Sequence, residues 1–201
     1  MAHASKPERT VLVFGDSLSA AYGLPVEQGW VHLLGARLAR ERAGWRVVNA
    51  SVSGETTAGG AARFAADLAA HAPDVVVLEL GANDALRGLP LDVAKANLAA
   101  MVDAARAAGA RVLVVGMRIP PNYGPDYAAQ FEAMYRDVST GGKAALLPFL
   151  LEPIAADRAN FLDDNLHPTA DAQPKLVEHV WPALVPLLDA SAAAPASHAV
   201  R

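Results

Sequence analysis

Residues 10–18 read TVLVFGDSL, an apolar, β-branched run that ends in Gly-Asp-Ser. A short uncharged run rich in valine is typical of a strand that is buried on both faces of a parallel sheet. Glycine, aspartate and serine are common turn residues. The stretch therefore predicts a strand at residues 10–14 that brings Ser17 to the carboxyl end of a sheet.

The rest of the chain repeats this strand-then-helix order. Further strands are predicted at residues 46–50, 74–80 and 111–116, with a weaker fifth at 144–149. Apolar residues at helical spacing predict helices at 29–42, 57–71, 91–108 and 125–138, and a last helix that begins near Asp171. Pro182 should kink or end that last helix. The pattern predicts an α/β fold, a flavodoxin-like three-layer α/β/α sandwich with a parallel sheet of about five strands.

Composition limits the kind of protein this is. The 201 residues are 53% hydrophobic, enough for one domain with a buried core. A net charge of -4 offers no broad basic surface, so we expect no nucleic-acid partner. The absence of cysteine excludes disulfides and thiol catalysis. No apolar stretch reaches the roughly 18 residues that span a bilayer, so no transmembrane segment is expected.

These features predict a domain at residues 10–189, between a flexible N-terminus at 1–9 and a disordered tail at 190–201. Residues 1–9 contain no apolar signal core. The expected partner is a small molecule, and the sequence indicates no oligomeric state.

One histidine has the surroundings of a catalytic base. Of the six histidines, only His167 lies in a polar loop with carboxylates close by, in DDNLHP at residues 163–168. Asp164, three residues earlier, can accept a hydrogen bond from the imidazole Nδ1–H and leave Nε2 facing a serine. Ser17 and His167 are thus predicted to form a nucleophile and base. A turn serine and a solvated acidic loop are the structural alternatives.

Three strand ends bring further polar groups to the same edge of the sheet. Gly54 follows the second strand and Asn83 follows the third. With the Ser17 N–H, the Gly54 N–H and the Asn83 side-chain amide could stabilise an oxyanion that develops during acyl transfer. Asp16 and Asp84 are interpreted as residues that brace loops rather than react.

The chain is identified by these residues as resembling the SGNH hydrolase superfamily, within its GDSL esterases and lipases. Ser17, Gly54, Asn83 and His167 are the four residues that give the superfamily its name, and they occur in order. The similarity extends to FGDSLSAAYG, VNASVSGETT, LELGANDALRG and HPTADAQP, which resemble the bacterial thioesterase I, lysophospholipase and arylesterase type. It covers roughly residues 10–188.

The resemblance implies hydrolysis of acyl esters and thioesters without a metal or organic cofactor. It implies that Ser17 is acylated, that Asp164 and His167 activate it, and that Gly54 and Asn83 contribute to the oxyanion hole. The loop with Ile119, Pro120 and Pro121 is expected to border the acyl pocket. Glu55 is expected to influence anionic substrates. A periplasmic or secreted location is implied too, with a cytoplasmic one as the alternative.

Two other functions fit the same scaffold. A carbohydrate acetylesterase would use the same triad on a sugar ester. A catalytically dead binding module would keep the fold without the reaction, but all five catalytic-type residues are present, which disfavours it.

Overall fold

The structure is a computed structural model that describes residues 8–190. The predicted flexible N-terminus and disordered tail lie outside the described residues, apart from residues 8, 9 and 190. Five strands form one sheet. They are β1 (Arg9–Gly15), β2 (Trp45–Asn49), β3 (Val75–Glu79), β4 (Arg111–Val115) and β5 (Ala145–Leu147).

The sheet is parallel throughout, with the strand order β2-β1-β3-β4-β5. The predicted fold class is confirmed, because this is the flavodoxin-like order, in which ligands bind where the chain reverses direction across the sheet. That reversal lies between β1 and β3, where Val13 pairs with Val77 and Gly15 pairs with Glu79. Residues that follow β1 and β3 therefore emerge side by side.

Within residues 8–190, six α-helices cover the sheet. They are α1 (Trp30–Glu41), α2 (Thr57–His71), α3 (Ala82–Leu86), α4 (Leu91–Ala107), α5 (Pro125–Gly142) and α6 (Gln173–Asp189). One layer contains α1 packed on α6, and the other contains the row α2, α4 and α5. Gly44 and Gly109 follow α1 and α4 with φ of 88° and 89°, a left-handed conformation that glycine adopts without strain.

The core lies between the sheet and these two layers. The residues of β1 from Val11 to Phe14 and most of β3 are completely buried. At about 25 cal/mol per Å² of buried apolar surface, strands buried on both faces contribute a large share of the hydrophobic stabilisation. The same burial explains why these two strands could be predicted so directly.

Three local predictions need correction. The fifth strand ends at Leu147, because Pro148 has no N–H to continue a ladder. Helix α5 runs past residue 138 to Gly142, whose missing side chain lets the helix pack closely against Val102 of α4. Helix α3 was not predicted, since five residues are too few to show a period.

Pro182 is predicted to kink or end the last helix, and the end at this residue is wrong. Helix α6 continues through Pro182 and Pro186 to Asp189. An internal proline costs about 3 kcal/mol in a helix. Buried Val180, Leu184 and Leu188 lie on both sides of Pro182, so packing on the sheet outweighs that cost.

None of the helices within residues 8–190 has the length and apolar character needed to cross a membrane.

Candidate active site

Ser17 lies at the carboxyl end of β1, in the first position of a turn. The Ala20 N–H donates to the Asp16 carbonyl at 2.9 Å, and the Tyr22 N–H donates to the Ser17 carbonyl at 3.1 Å. The next helix, α1, begins only at Trp30, in agreement with the predicted range of 29–42. A Cβ on Gly15 would lie 2.6 Å from a Glu79 carboxyl oxygen, so glycine is required before this turn.

His167 lies on a loop that folds back on itself. Phe161 and Pro168 form an antiparallel bridge, and the Leu162 N–H donates to the His167 carbonyl at 2.8 Å. Asn165 turns the chain with φ of 61°, a left-handed conformation that asparagine adopts more readily than most residues. The loop brings the imidazole to Ser17, 150 residues away in sequence, with Nε2 at 2.8 Å from Oγ.

Asp164 fixes both the loop and the ring. Its Oδ1 accepts from the backbone N–H groups of Leu166 and His167, at 2.9 and 3.0 Å. Its Oδ2 lies 2.6 Å from His167 Nδ1. Because an ionised carboxylate only accepts hydrogen bonds, Nδ1 carries the proton. In the neutral ring Nε2 is then an acceptor, and the Ser17 hydroxyl donates to it.

These hydrogen bonds set the charge of Asp164. Partial burial raises the pKa of Asp164, but the bonds from the His167 backbone, the His167 ring and the Leu166 backbone outweigh it and lower the pKa to about 2. Asp164 is therefore ionised at any pH at which esters are normally assayed. A permanent negative charge at this position stabilises an imidazolium.

Gly54 and Asn83 line the same cavity as Ser17 and His167. Gly54 has φ of 79°, in the loop between β2 and α2. Asn83 lies in α3, directly after β3, and its Nδ2 donates to Asp16 Oδ2 at 3.0 Å. An amide nitrogen carries two hydrogens, so one N–H of Asn83 remains for another acceptor.

Asp16 and Glu79 form a buried pair of carboxyl groups beneath Ser17. Asp16 is 1% exposed and also accepts from the Leu18 N–H at 3.0 Å. Glu79 is completely buried and accepts from the Ser19 hydroxyl at 2.7 Å. The Asp16 backbone N–H donates to the same Glu79 oxygen at 3.3 Å, so the two buried carboxyl groups lie next to each other.

Burial makes both members of this pair harder to ionise than free carboxyl groups. Burial raises the pKa of Asp16 to about 6, although the Leu18 N–H, His167 and Asn83 act to lower it. Burial, followed by the neighbouring Asp16, raises the pKa of Glu79 well above its usual value. Both carboxyl groups hold the backbone and side chains around Ser17 in place through their hydrogen bonds.

Ser17 opens into a cavity of about 530 Å³. The wall is mostly apolar and is supplied by several loops at the carboxyl ends of the strands. Its apolar members are Leu18, Tyr22, Ala82, Leu86, Met117, Ile119, Pro120, Phe149, Leu151, Ala155, Phe161 and Leu166. The cavity can thus accommodate an apolar acyl or aryl group next to the Ser17 hydroxyl.

The structure supports the predicted position of some of the other residues near the cavity and not of others. Ile119 and Pro120 lie in the cavity wall, whereas the side chain of Pro121 lies outside the described part of the structure. Glu55 does not line the cavity, because its carboxylate forms an ion pair with Arg63 at 2.7 Å. The expected influence of Glu55 on anionic substrates is therefore not supported.

Two features of the site were not found by sequence reasoning. The Tyr22 ring packs on the imidazole of His167, with ring centroids 4.4 Å apart. The Asp16–Glu79 pair joins residues 63 positions apart, which no local pattern indicates. A glutamate in an otherwise apolar strand, at the end of VVVLE, was the only available signal.

Comparison with known proteins identifies the family. Residues 13–173 match the GDSL-like Lipase/Acylhydrolase family. Esterase TesA of Pseudomonas aeruginosa is 52% identical over 180 residues, covering 90% of each chain. An arylesterase of Vibrio mimicus is 41% identical, covering 90% of this chain and 91% of the relative. Thioesterase 1/protease 1/lysophospholipase L1 of Escherichia coli is 37% identical, covering 90% and 85%.

A solved structure agrees with these relatives. The psychrotrophic esterase EstA from Pseudoalteromonas sp., inhibited by monoethylphosphonate, superposes with a TM-score of 0.86 at 39% identity. The alignment covers 90% of this chain and all of EstA. The chain belongs to the GDSL-like lipase/acylhydrolase family, and it is an ester and thioester hydrolase of the SGNH type.

No group of three or more His, Asp or Glu side chains suited to a metal ion occurs within residues 8–190. The absence of a cofactor, the absence of a nucleic-acid partner and the periplasmic location stay predictions.

Proposed function

We propose that this enzyme hydrolyses acyl esters and thioesters through an acyl-enzyme formed on Ser17. The observation that carries the proposal is the continuous hydrogen-bonded chain from Asp164 through His167 to Ser17, with distances of 2.6 and 2.8 Å. Nucleophile, base and orienting carboxylate are all within reach of proton transfer.

Acylation begins with the Ser17 hydroxyl. His167 Nε2 accepts the hydroxyl proton while Oγ attacks the carbonyl carbon of the substrate, and the carbonyl oxygen becomes an oxyanion. The ionised Asp164 stabilises the imidazolium that results. The Ser17 N–H, the Gly54 N–H and the free N–H of Asn83 are the proposed donors to the oxyanion.

The intermediate then collapses. The bond to the leaving alcohol or thiol breaks, and the imidazolium donates its proton to that leaving group. Water enters, His167 removes its proton, and the resulting hydroxide equivalent attacks the acyl-Ser17 carbonyl. The bond between Oγ and the acyl carbon then breaks, the imidazolium of His167 returns its proton to Oγ, and the carboxylic acid leaves.

The cavity supports an apolar acyl or aryl group as the substrate part that is bound. Twelve of the 20 residues that line it are apolar, among them Met117, Ile119 and Phe149. The names of the relatives, which are esterase, arylesterase and thioesterase 1/lysophospholipase L1, point in the same direction. The carbohydrate acetylesterase alternative is accordingly less supported.

The direct test is turnover of p-nitrophenyl butyrate by Ser17→Ala. Losing the nucleophile should reduce kcat by about 10⁶-fold, as in other serine hydrolases. Ser139→Ala is the matched control, because Ser139 is a buried serine in α5 that does not line the cavity. Unchanged kcat in Ser17→Ala would refute the assignment.

Substrate preference is tested with a second panel. Esters of p-nitrophenol from acetate to palmitate, butyryl-CoA, a lysophospholipid and acetylated xylan should be compared at equal enzyme concentration. The apolar cavity predicts the highest kcat/KM on acyl chains longer than acetate. Faster release of acetate from xylan would favour the acetylesterase, and no turnover of any ester would favour the dead binding module.

A further inference from the structure

Two residues in and next to helix α3 form hydrogen bonds with the segment that contains Gly54. Asp84 is buried and accepts from the Thr57 N–H at 2.8 Å and from the Thr57 hydroxyl at 2.6 Å. Arg87, the residue that caps the C-terminus of α3, donates from Nη2 to the Gly54 carbonyl at 2.8 Å. The segment 54–57 is thus bonded at both ends to the helix that carries Asn83.

The backbone of Gly54 depends on hydrogen bonds from other segments more than the backbone of its neighbours does. It is exposed, and its φ of 79° belongs to a region that glycine can enter and leave freely. Before Gly54, the loop is held by the Val52 N–H, which donates to the Gly15 carbonyl at 3.0 Å. After it, Arg87 holds the Gly54 carbonyl. The N–H of Gly54 lies between these two anchors, so its direction depends on both.

Arg87 is suited to this role and less suited to contact with substrate. Its guanidinium is not part of the cavity wall. Within residues 8–190 it has no carboxylate partner in an ion pair, so its interaction with the Gly54 carbonyl is not shared with an acidic side chain. A guanidinium has several donors in a fixed plane and keeps its charge at every working pH.

We propose that Arg87 is a positioning residue that holds the Gly54 N–H in register with the Asn83 amide, so that both point at the same oxyanion. The inference rests on the proposed acyl transfer at Ser17. In this arrangement α3 and its C-cap residue position both proposed oxyanion donors. The buried Asp84 holds Thr57, at the end of the Gly54 loop, and the exposed Arg87 holds the Gly54 carbonyl.

The test compares Arg87→Ala and Arg87→Met with Arg106→Met. Arg106 is an exposed arginine in the last turn of α4, at the opposite edge of the sheet from Ser17. The control therefore removes the same charge far from the site. Each variant is assayed on neutral p-nitrophenyl butyrate and on anionic butyryl-CoA, and its thermal unfolding midpoint is measured.

Loss of one oxyanion donor typically costs about 10²- to 10³-fold in kcat, and a donor that is only misaligned should cost less, about tenfold. We expect that decrease in both Arg87 variants, by the same factor on both substrates and with KM changed less than about twofold. Adding guanidinium chloride at tens of millimolar should restore part of kcat in Arg87→Ala, and sodium chloride should not. Arg106→Met should match the wild type.

Three results would overturn the inference. One is unchanged kcat on p-nitrophenyl butyrate. Another is an increase in KM confined to butyryl-CoA, which would make Arg87 a receptor for the anionic leaving group. The third is a loss of kcat in both variants that guanidinium does not restore, which would indicate a general structural role. If instead Ser17→Ala keeps its activity, the proposed acyl transfer itself is wrong, whatever the Arg87 variants do.

Discussion

Asp16 and Asp164 are two carboxylates that lie on opposite sides of the Ser17–His167 pair, and their surroundings shift their pKa in opposite directions. Burial raises the pKa of Asp16 to about 6. The Asp164 loop supplies three hydrogen bonds that lower the pKa of its carboxyl to about 2, despite partial burial. The first carboxylate accepts a hydrogen bond from Asn83, a proposed oxyanion donor, and the second bonds to His167, the proposed base.

The difference shows how one residue type can serve two functions in one site. Asp164 is 37% exposed, and all its hydrogen-bond partners lie within three residues of it in the sequence. Asp16 is buried, and it contacts residues that are distant in the sequence, Glu79 on the neighbouring strand and Asn83 on the helix that follows it. Substitutions on the Asp164 side should therefore affect the base, and those on the Asp16 side should affect the oxyanion hole.

The largest effect is expected for Asp164→Asn. An asparagine would allow the wrong imidazole tautomer, with Nε2 protonated, so kcat on p-nitrophenyl butyrate should fall about 10⁴-fold. The control is Asp163→Asn, which removes an exposed charge from the adjacent residue and should stay within about threefold of the wild type. A loss below tenfold in Asp164→Asn would remove Asp164 from the triad.

On the other side, Asn83→Ala should reduce kcat by about 10²- to 10³-fold, because one oxyanion donor is lost. KM should change little, since the donor acts on the transition state. The measurement is steady-state kinetics on the same ester. A rise in KM with unchanged kcat would show that Asn83 binds the ground state instead.

Asp16→Asn should have a smaller effect, about tenfold in kcat, because Asn83 stays in place but loses the charged acceptor that orients it. The pH profile provides a second test. Below about pH 6 the wild type should lose activity partly through protonation of Asp16, and the variant should lack that ionisation. Identical acid limbs of kcat/KM in both proteins would exclude this role.

The smallest effect is expected for Glu79→Gln and concerns stability. Burial raises the pKa of Glu79, so the folded state binds more protons than the unfolded state above the usual glutamate pKa. Stability from this group is present at low pH and is lost as pH rises. The free energy of unfolding of the variant, relative to wild type, should increase from pH 5 to pH 8.

Urea unfolding at both pH values measures this change. Glu27→Gln is the control, because Glu27 is exposed and should show the same difference from wild type at both pH values. If the free energy of unfolding of Glu79→Gln, relative to wild type, were the same at both pH values, the pKa of Glu79 would not differ between the folded and unfolded states.

The two sides of the site also differ in how far the sequence predicted them. The Asp164 side is a local pattern, DDNLHP, and its spacing alone indicated the base and its orienting partner. The Asp16 side depends on β1 and β3 lying next to each other, so the contact between Asp16 and Glu79 could not be read from either segment. Ser17 was predicted in a turn at a strand end, because Gly-Asp-Ser follows an apolar run.

The same distinction applies to the fold. Strands β1 and β3 were predicted well because burial on both faces leaves a continuous apolar run. Helix α3 was missed because it has only five residues. It is stabilised by hydrogen bonds that Asn83, Asp84 and the C-cap residue Arg87 form with other segments. The path of α6 through Pro182 was mispredicted because local propensity opposes it and tertiary packing favours it.

Trapping of the acyl-enzyme tests the central claim most directly. Wild-type enzyme turning over p-nitrophenyl butyrate should be quenched in acid, digested and mapped by mass spectrometry. The account predicts a butyryl group on the peptide that contains Ser17, and none in Ser17→Ala. A butyryl group on a different residue, or an unlabelled Ser17 peptide during a measured burst of p-nitrophenol, would contradict it.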